Sequence, residues 1–252
     1  QAKLLRVMQP GTGPESLAVA ADGSIYCGGK GKLVRMDREG EIIASVSLPS
    51  NAATRVKSKR HRAKRNRVSG IAVSEKGVFA AVGSGWSMGS KSKLFRFDRD
   101  LEDPHLLVEG LKGCCQRCDL AVQGRNVVVA ENSAHRVVTY SRDGELIHKW
   151  GTRSRTSIEG FAACCNPMNV CFGPDGVLYT AEAGPGRVKR YTPRGKFLGL
   201  SGLVGTDRFE KGSHLAASCS NMAIAVVQGG DKIFVMDYKN NLIRVLVKRS
   251  DS

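Results

Sequence analysis

Cysteine recurs in this chain at a spacing that could build a site. The stretches Gly113-Cys114-Cys115-Gln116-Arg117-Cys118-Asp119-Leu120, Cys164-Cys165-Asn166-Pro167-Met168-Asn169-Val170 and Ser218-Cys219-Ser220-Asn221-Met222-Ala223-Ile224 share one outline. Aligned on Leu120, Val170 and Ile224, they put Cys115, Cys165 and Cys219 in one column, five residues before each apolar residue. Soft sulfur donors that converge from consecutive repeats select zinc, copper(I) or an iron–sulfur cluster. For a cluster the expected ligands are Cys115, Cys165 and Cys219, with Cys118 or another local cysteine as the fourth; zinc or copper would suit the same set. The doubled residues Cys114 and Cys164 complete the metal candidates. Disulfides and ordinary packing compete for the same thiols. Neighbouring cysteines bridge each other only through a strained ring, so each pair needs other partners. Cys27 and Cys171 fall within strand patterns and read as core residues.

A second column accompanies the first. Glu131, Glu182 and Asp237 share one position, and Arg136, Arg187 and Arg244 follow them in register. The expected use is a structural ion pair in each repeat. His135 and His214 are the histidines nearest the cysteine face, and neither has a sequence neighbour that orders a Cys–His catalytic pair.

Five repeats must position these residues. Apolar starts recur at Leu17, Ile71, Leu120, Val170 and Ile224, with spacings of 54, 49, 50 and 54. Each opens a strand, a glycine-containing turn, a second strand, a third strand rich in Val and Arg, a charged turn and a fourth strand. The fifth repeat lacks a fourth strand, and Lys3-Leu4-Leu5-Arg6-Val7-Met8, before the first repeat, can supply it and close a ring. The reading is all-β: a single β-propeller over residues 1–252, of five four-stranded blades or six, with a basic loop insertion at 51–68.

The pattern resembles the NHL-repeat family of β-propellers. The resemblance is carried by Pro174-Asp175-Gly176-Val177-Leu178-Tyr179-Thr180-Ala181-Glu182, by Arg187-Val188-Lys189-Arg190-Tyr191 and by the turn ending in Gly195. It recurs in Val129-Ala130-Glu131 with His135-Arg136-Val137, and in Val235-Met236-Asp237 with Leu242-Ile243-Arg244-Val245. It implies that first strands line a central channel. It also implies that the connections into them, and those from second to third strand, share one face. The thiols and the carboxylates then lie on that top face, across repeats three to five. The first two repeats carry Thr12 and Asn66 where the later ones carry cysteine. Some relatives hold a catalytic metal in the channel, so a metal-dependent lyase or hydrolase is a third reading; the expected histidine ligands are missing. The doubled cysteines are not part of the general family pattern.

The formal net charge is +16, from 39 basic and 23 acidic residues. Residues 55–67 hold eight of the bases and no acid. Within them Lys59, Arg60, Arg62, Lys64, Arg65 and Arg67 form an anion-binding candidate for an acidic protein, a redox partner or nucleic acid. No aromatic residue interrupts the run, which argues against single-stranded nucleic acid. No apolar run is long enough to span a bilayer, and no nucleophile elbow, phosphate loop or zinc-protease motif occurs. The chain shows no signal peptide; if one was removed, the protein is exported, to a periplasmic or extracellular space. The favoured function is a metal- or cluster-binding propeller with a redox, electron-transfer or sensing role. The alternative is a cofactor-free scaffold for an anionic partner.

Overall fold

The structure is a computed structural model, and it describes residues 4–48, 66–84, 91–114, 117–162, 165–204, 222–227, 229–237 and 241–248. They form five antiparallel sheets in chain order. The first holds β1 (Pro14–Val19), β2 (Ile25–Gly29), β3 (Lys32–Met36) and β4 (Ile42–Ser47). The second holds β5 (Asn66–Ser74), β6 (Gly77–Ser84), β7 (Ser92–Phe97) and β8 (His105–Leu111). The third holds β9 (Asp119–Gln123), β10 (Asn126–Glu131), β11 (Arg136–Ser141) and β12 (Leu146–Trp150). The fourth holds β13 (Asn169–Phe172), β14 (Leu178–Glu182), β15 (Arg187–Tyr191) and β16 (Phe197–Leu203). The fifth holds β17 (Met222–Val226), β18 (Lys232–Asp237) and β19 (Leu242–Val247). This is a β-propeller, with sequential strands paired in each blade. No helix among the described residues is long and apolar enough to cross a membrane.

Strand composition follows each strand's place in its blade. In the second, third and fourth blades the second strands are covered on both faces by neighbouring blades, so they are apolar nearly throughout. In β10, Val127 to Ala130 are all buried. Fourth strands lie at the rim and alternate or expose their apolar residues, as Leu146 and Ile147 do in β12. The charged turns need glycine for a physical reason. Gly40, Gly144 and Gly195 have φ of +95, +90 and +88, and each leads into a fourth strand. At Gly195 a Cβ would also sit 2.3 Å from Trp150 Cγ of the blade before, so the turn and that indole fit only because the side chain is absent.

Four apolar clusters join the blades in series: first to second, second to third, third to fourth and fourth to fifth. Each large side chain withdrawn there contributes roughly 1.5–3 kcal/mol. A fifth cluster, Cys27, Val34 and Met36, stays within the first blade. This is the expected role of Cys27.

The closing strand is a correction to the sequence reading. Residues 4–10 form no strand, and among the described residues the fifth sheet has three strands. The reason is a competing anchor: Arg6 Nη1 donates to Glu39 O at 2.8 Å and Arg38 O at 3.3 Å. Those bonds hold the segment against the first blade's own turn. The insertion reading also shifts: residues 66–68 begin β5, and 49–65 lie outside the described residues.

Candidate top-face site

Two of the connections that carry the cysteines, those into the third and fourth blades, are held by the carboxylate column. Glu131 ends β10, is buried, and accepts Arg136 Nε at 2.5 Å on one oxygen. Its other oxygen accepts the backbone N–H of Lys112 at 2.8 Å, in the connection leading to β9. Glu182 repeats the arrangement in the fourth blade, accepting Arg187 Nη2 at 2.7 Å and the backbone N–H of Ala162 at 3.0 Å. Asp237 accepts Arg244 Nε and Nη2, each at 3.2 Å. The expected ion pairs are therefore present. The second task of Glu131 and Glu182, tying down the incoming connection, has no sequence signature, because the donor is a backbone amide.

Glu182 carries a further partner that the register did not reveal. Lys189 is fully buried and ion-paired to Glu182. Its Nζ also donates to Ile158 O at 3.0 Å and Gly160 O at 2.8 Å, and lies 4.6 Å from the centre of the Phe161 ring. Burial pulls its pKa down and Glu182 pushes back up. Lys189 thereby pins the connection between the third and fourth blades.

Polar side chains at the start of the first strands clip each blade to the next. Ser16 Oγ donates to Val68 O at 3.0 Å, and Ser69 Oγ donates to Cys118 O at 3.0 Å. Asp119 accepts the Asn169 side-chain amide and the Val170 N–H, the latter at 2.8 Å. Asn169 Oδ1 in turn accepts Ile224 N–H at 2.8 Å. Burial pushes the Asp119 carboxyl up to about 7, against the lowering effect of the Val170, Leu120 and Asn169 donors. Ser16, Asp119 and Asn169 each precede an apolar start, so the sequence held this signal unread. In the fifth blade Ala223 stands at that position.

Three of the six predicted thiol ligands, Cys115, Cys164 and Cys219, lie outside the described residues, as does His214. Cys114 is partly exposed on the top face, and its N–H donates to Asn132 Oδ1 at 2.6 Å. The same Asn132 side chain donates from Nδ2 to Met168 Sδ at 3.8 Å. Asn132 thus bridges the connection that bears Cys114 to the one that bears Cys165, and sequence reasoning missed it. Cys165 is buried with φ of +64, a left-handed backbone that costs a non-glycine residue energy and is held by its surroundings. Next to it the Asn166 amide donates to Ala162 O at 2.6 Å and Ala183 O at 3.2 Å, while its buried Oδ1 receives no hydrogen bond.

Cys118 is elsewhere. It is fully buried in the cluster between the second and third blades, beside Leu111 and Leu120. Burial, and then the nearby Glu131 carboxylate, push its thiol far up and away from thiolate. It fills the place of an apolar core residue. Cys171 packs against the cluster between the fourth and fifth blades, and burial pushes it up to about 12. Among the described residues no group of three or more His, Cys, Asp and Glu side chains is arranged to hold a metal ion. Of the anion-binding candidates, only Arg67 is described. It lies in β5, and its Nε donates to Glu15 Oε2 at 2.6 Å. Lys59, Arg60, Arg62, Lys64 and Arg65 lie outside the described residues.

A model of the N-terminal region of the strictosidine synthase-like family matches residues 1–36. No curated protein matches the sequence. Among solved structures, a gluconolactonase from Xanthomonas campestris superposes with a TM-score of 0.56 at 15% identity, over 87% of this chain and 67% of that one. Hydrazine synthase from Kuenenia stuttgartiensis superposes with a TM-score of 0.55 at 12% identity, over 93% of this chain and 58% of that one. A functionally unknown protein from Desulfotomaculum acetoxidans gives 0.55 at 12% identity, over 94% of this chain and 70% of that one. At these identities the likeness is one of fold, and it is consistent with the resemblance to NHL-type propellers.

Proposed function

We propose that the top face of the third to fifth blades is a soft-donor site that binds a metal ion or an iron–sulfur cluster, and that the protein serves redox, electron transfer or sensing. The observation that carries this reading is the Asn132 bridge, which fastens the Cys114 connection to the Met168 connection at 2.6 and 3.8 Å. It brings two cysteine-bearing segments to one side of the ring. The left-handed backbone at Cys165 is a second support, since such strain persists where the surroundings over-determine it.

The ligand set of this reading is Cys114, Cys115, Cys164, Cys165 and Cys219. Cys118 drops out, because a thiol sunk in an apolar cluster resists the deprotonation that ligation needs. Bound there, the group would supply one-electron chemistry as a cluster or as copper, or a closed structural site as zinc. What the chain itself contributes is position. Glu131 and Glu182 fix the backbone of both incoming connections, and Asn132 sets their separation.

The test is anaerobic purification with elemental analysis and an absorption spectrum, for wild type and for the Cys115→Ser, Cys165→Ser, Cys219→Ser triple variant. The reading expects sulfur-to-metal charge-transfer absorption or stoichiometric zinc in wild type, and its loss in the triple variant. Metal-free wild type with its cysteines in disulfides overturns it. The scaffold alternative rests on net charge and on the basic run 55–67, and its one described candidate, Arg67, is engaged by Glu15. No residue is assigned to a lyase or hydrolase activity.

A further inference from the structure

Sulfur occupies a further column, two residues before the apolar starts Leu120, Val170 and Ile224: Cys118, Met168 and Met222. The structure separates the three. Cys118 belongs to the cluster between the second and third blades, and Met222 to the one between the fourth and fifth. Packing in a blade junction accounts for both. Among the described residues Met168 belongs to none of the five clusters, nor does it pack against one. It is half-buried on the top face, in the connection that carries Cys165.

What holds Met168 is polar. Its backbone N–H donates to Ala181 O at 2.8 Å, which fixes the main chain. Its Sδ accepts Asn132 Nδ2 at 3.8 Å, which fixes the thioether. Asn132 is buried, in the short turn Asn132–Ala134 that follows β10. Through Oδ1 it also takes the Cys114 N–H at 2.6 Å. Neighbouring bonds brace this arrangement: Ser133 N–H donates to Lys112 O at 3.2 Å, and Arg117 N–H to Cys114 O at 3.1 Å. One carboxamide and its hydrogen bonds therefore span the distance from the Met168 sulfur to the Cys114 main chain. An outer partner of this kind aims a ligand atom. Asn132 engages one lone pair of the sulfur and leaves the other.

A thioether discriminates among the metals that cysteine alone would admit. Zinc takes thiolate, imidazole and carboxylate, and iron–sulfur clusters take thiolate and, in one class, imidazole. Neither set includes methionine. A neutral, polarizable thioether beside thiolate suits copper(I).

Resting on the top-face reading above, we propose that its metal is copper(I) and that the Met168 thioether is a ligand beside the Cys114 and Cys165 thiolates. Asn132 is the positioning residue, because it sets the thioether against the Cys114 connection. Met222, in the same column but enclosed in a blade junction, takes no part.

The experiment is anaerobic titration of the full chain with copper(I) against a chromophoric copper(I) chelator, and with zinc against a zinc chelator. The proteins are wild type, Met168→Leu and Met222→Leu, both changes being close to volume-conserving. Met168→Leu is expected to weaken copper(I) binding by about tenfold or more, and to leave zinc binding as it is in wild type. Met222→Leu is expected to match wild type with both metals. Selenomethionine-labelled protein loaded with copper(I) is expected to show copper–selenium scattering in X-ray absorption, kept in Met222→Leu and lost in Met168→Leu. In wild type that readout needs no substitution, so it decides the ligand even where a variant folds poorly. Copper(I) bound without selenium scattering, or unchanged affinity in Met168→Leu, overturns this inference and leaves the metal reading standing. So does a native iron–sulfur cluster, or binding of zinc but not copper(I). Wild type that holds neither copper(I), zinc nor a cluster overturns the top-face reading itself, and this inference with it.

Discussion

The junction between the third and fourth blades and the free side of the fifth blade use the same repeat in opposite ways. At the junction every device is present. Asp119 clips β13, Asn132 bridges two connections, and Glu182 gathers Arg187, Lys189 and a backbone amide. Trp150 and Tyr191 rings meet with centres 4.6 Å apart, beside Phe161. At the free side the clip position holds Ala223, and the apolar row of β18 and β19 faces outward. The carboxylate column marks the same contrast: Glu182 is fully buried, while the Asp237 side chain is 10% exposed and pairs with an Arg244 that is 34% exposed. Backbone pattern alone makes a blade. Polar groups that reach across make a junction permanent.

This comparison can be broken at its strongest point first. Glu182→Ala strands the buried Lys189 ammonium without its carboxylate, and is expected to cost about 3–5 kcal/mol, read from the denaturant midpoint. Asp237→Ala, in the same column at the free side, removes a partly solvated pair and is expected to cost about 0–1 kcal/mol. Equal losses would erase the distinction between the two regions.

The Asp119 clip gives a pH signature of intermediate size. Its folded pKa is raised from 3.8 to about 7 by burial. Between those values the folded state binds a proton that the unfolded state has lost. This contribution therefore falls as pH rises from about 4 to about 7 and is constant above. Asp119→Asn is expected to remove that slope, as seen in melting temperature against pH; an unchanged slope would remove Asp119 as its source. Asn132→Ala leaves the Cys114 amide without its acceptor and is expected to cost about 1–3 kcal/mol, measured by denaturation, with lower metal content. Ala223→Ser, in the fifth blade, is expected to change stability by no more than about 0.5 kcal/mol, since among the described residues the added hydroxyl has no further strand to clip.

The fold was legible because apolar starts, glycine turns and β-branched second strands are local signals that repeat. The Glu131–Arg136 and Glu182–Arg187 pairs were legible for the same reason, as residues in fixed register across a two-strand turn. Contacts between blades were harder. Ser69 reaches Cys118, and Asn132 reaches both Cys114 and Met168, through side chains whose partners lie tens of residues away or on backbone atoms. Cys114 and Cys118 show the limit: in one short stretch, the first is a partly exposed connection residue and the second is core. Cysteine serves both environments, so residue type could not separate them. The first-blade anchor of residues 4–8 depends on Arg6 finding two carbonyls, which no periodicity announces.

The most direct test of the central claim is the metal content of anaerobically purified wild type beside single Cys114→Ser and Cys118→Ser variants. The account predicts bound metal in wild type, loss or weakening in Cys114→Ser, and full retention in Cys118→Ser, whose thiol belongs to the core. Metal-free wild type, or loss on replacing Cys118 with retention on replacing Cys114, would contradict it.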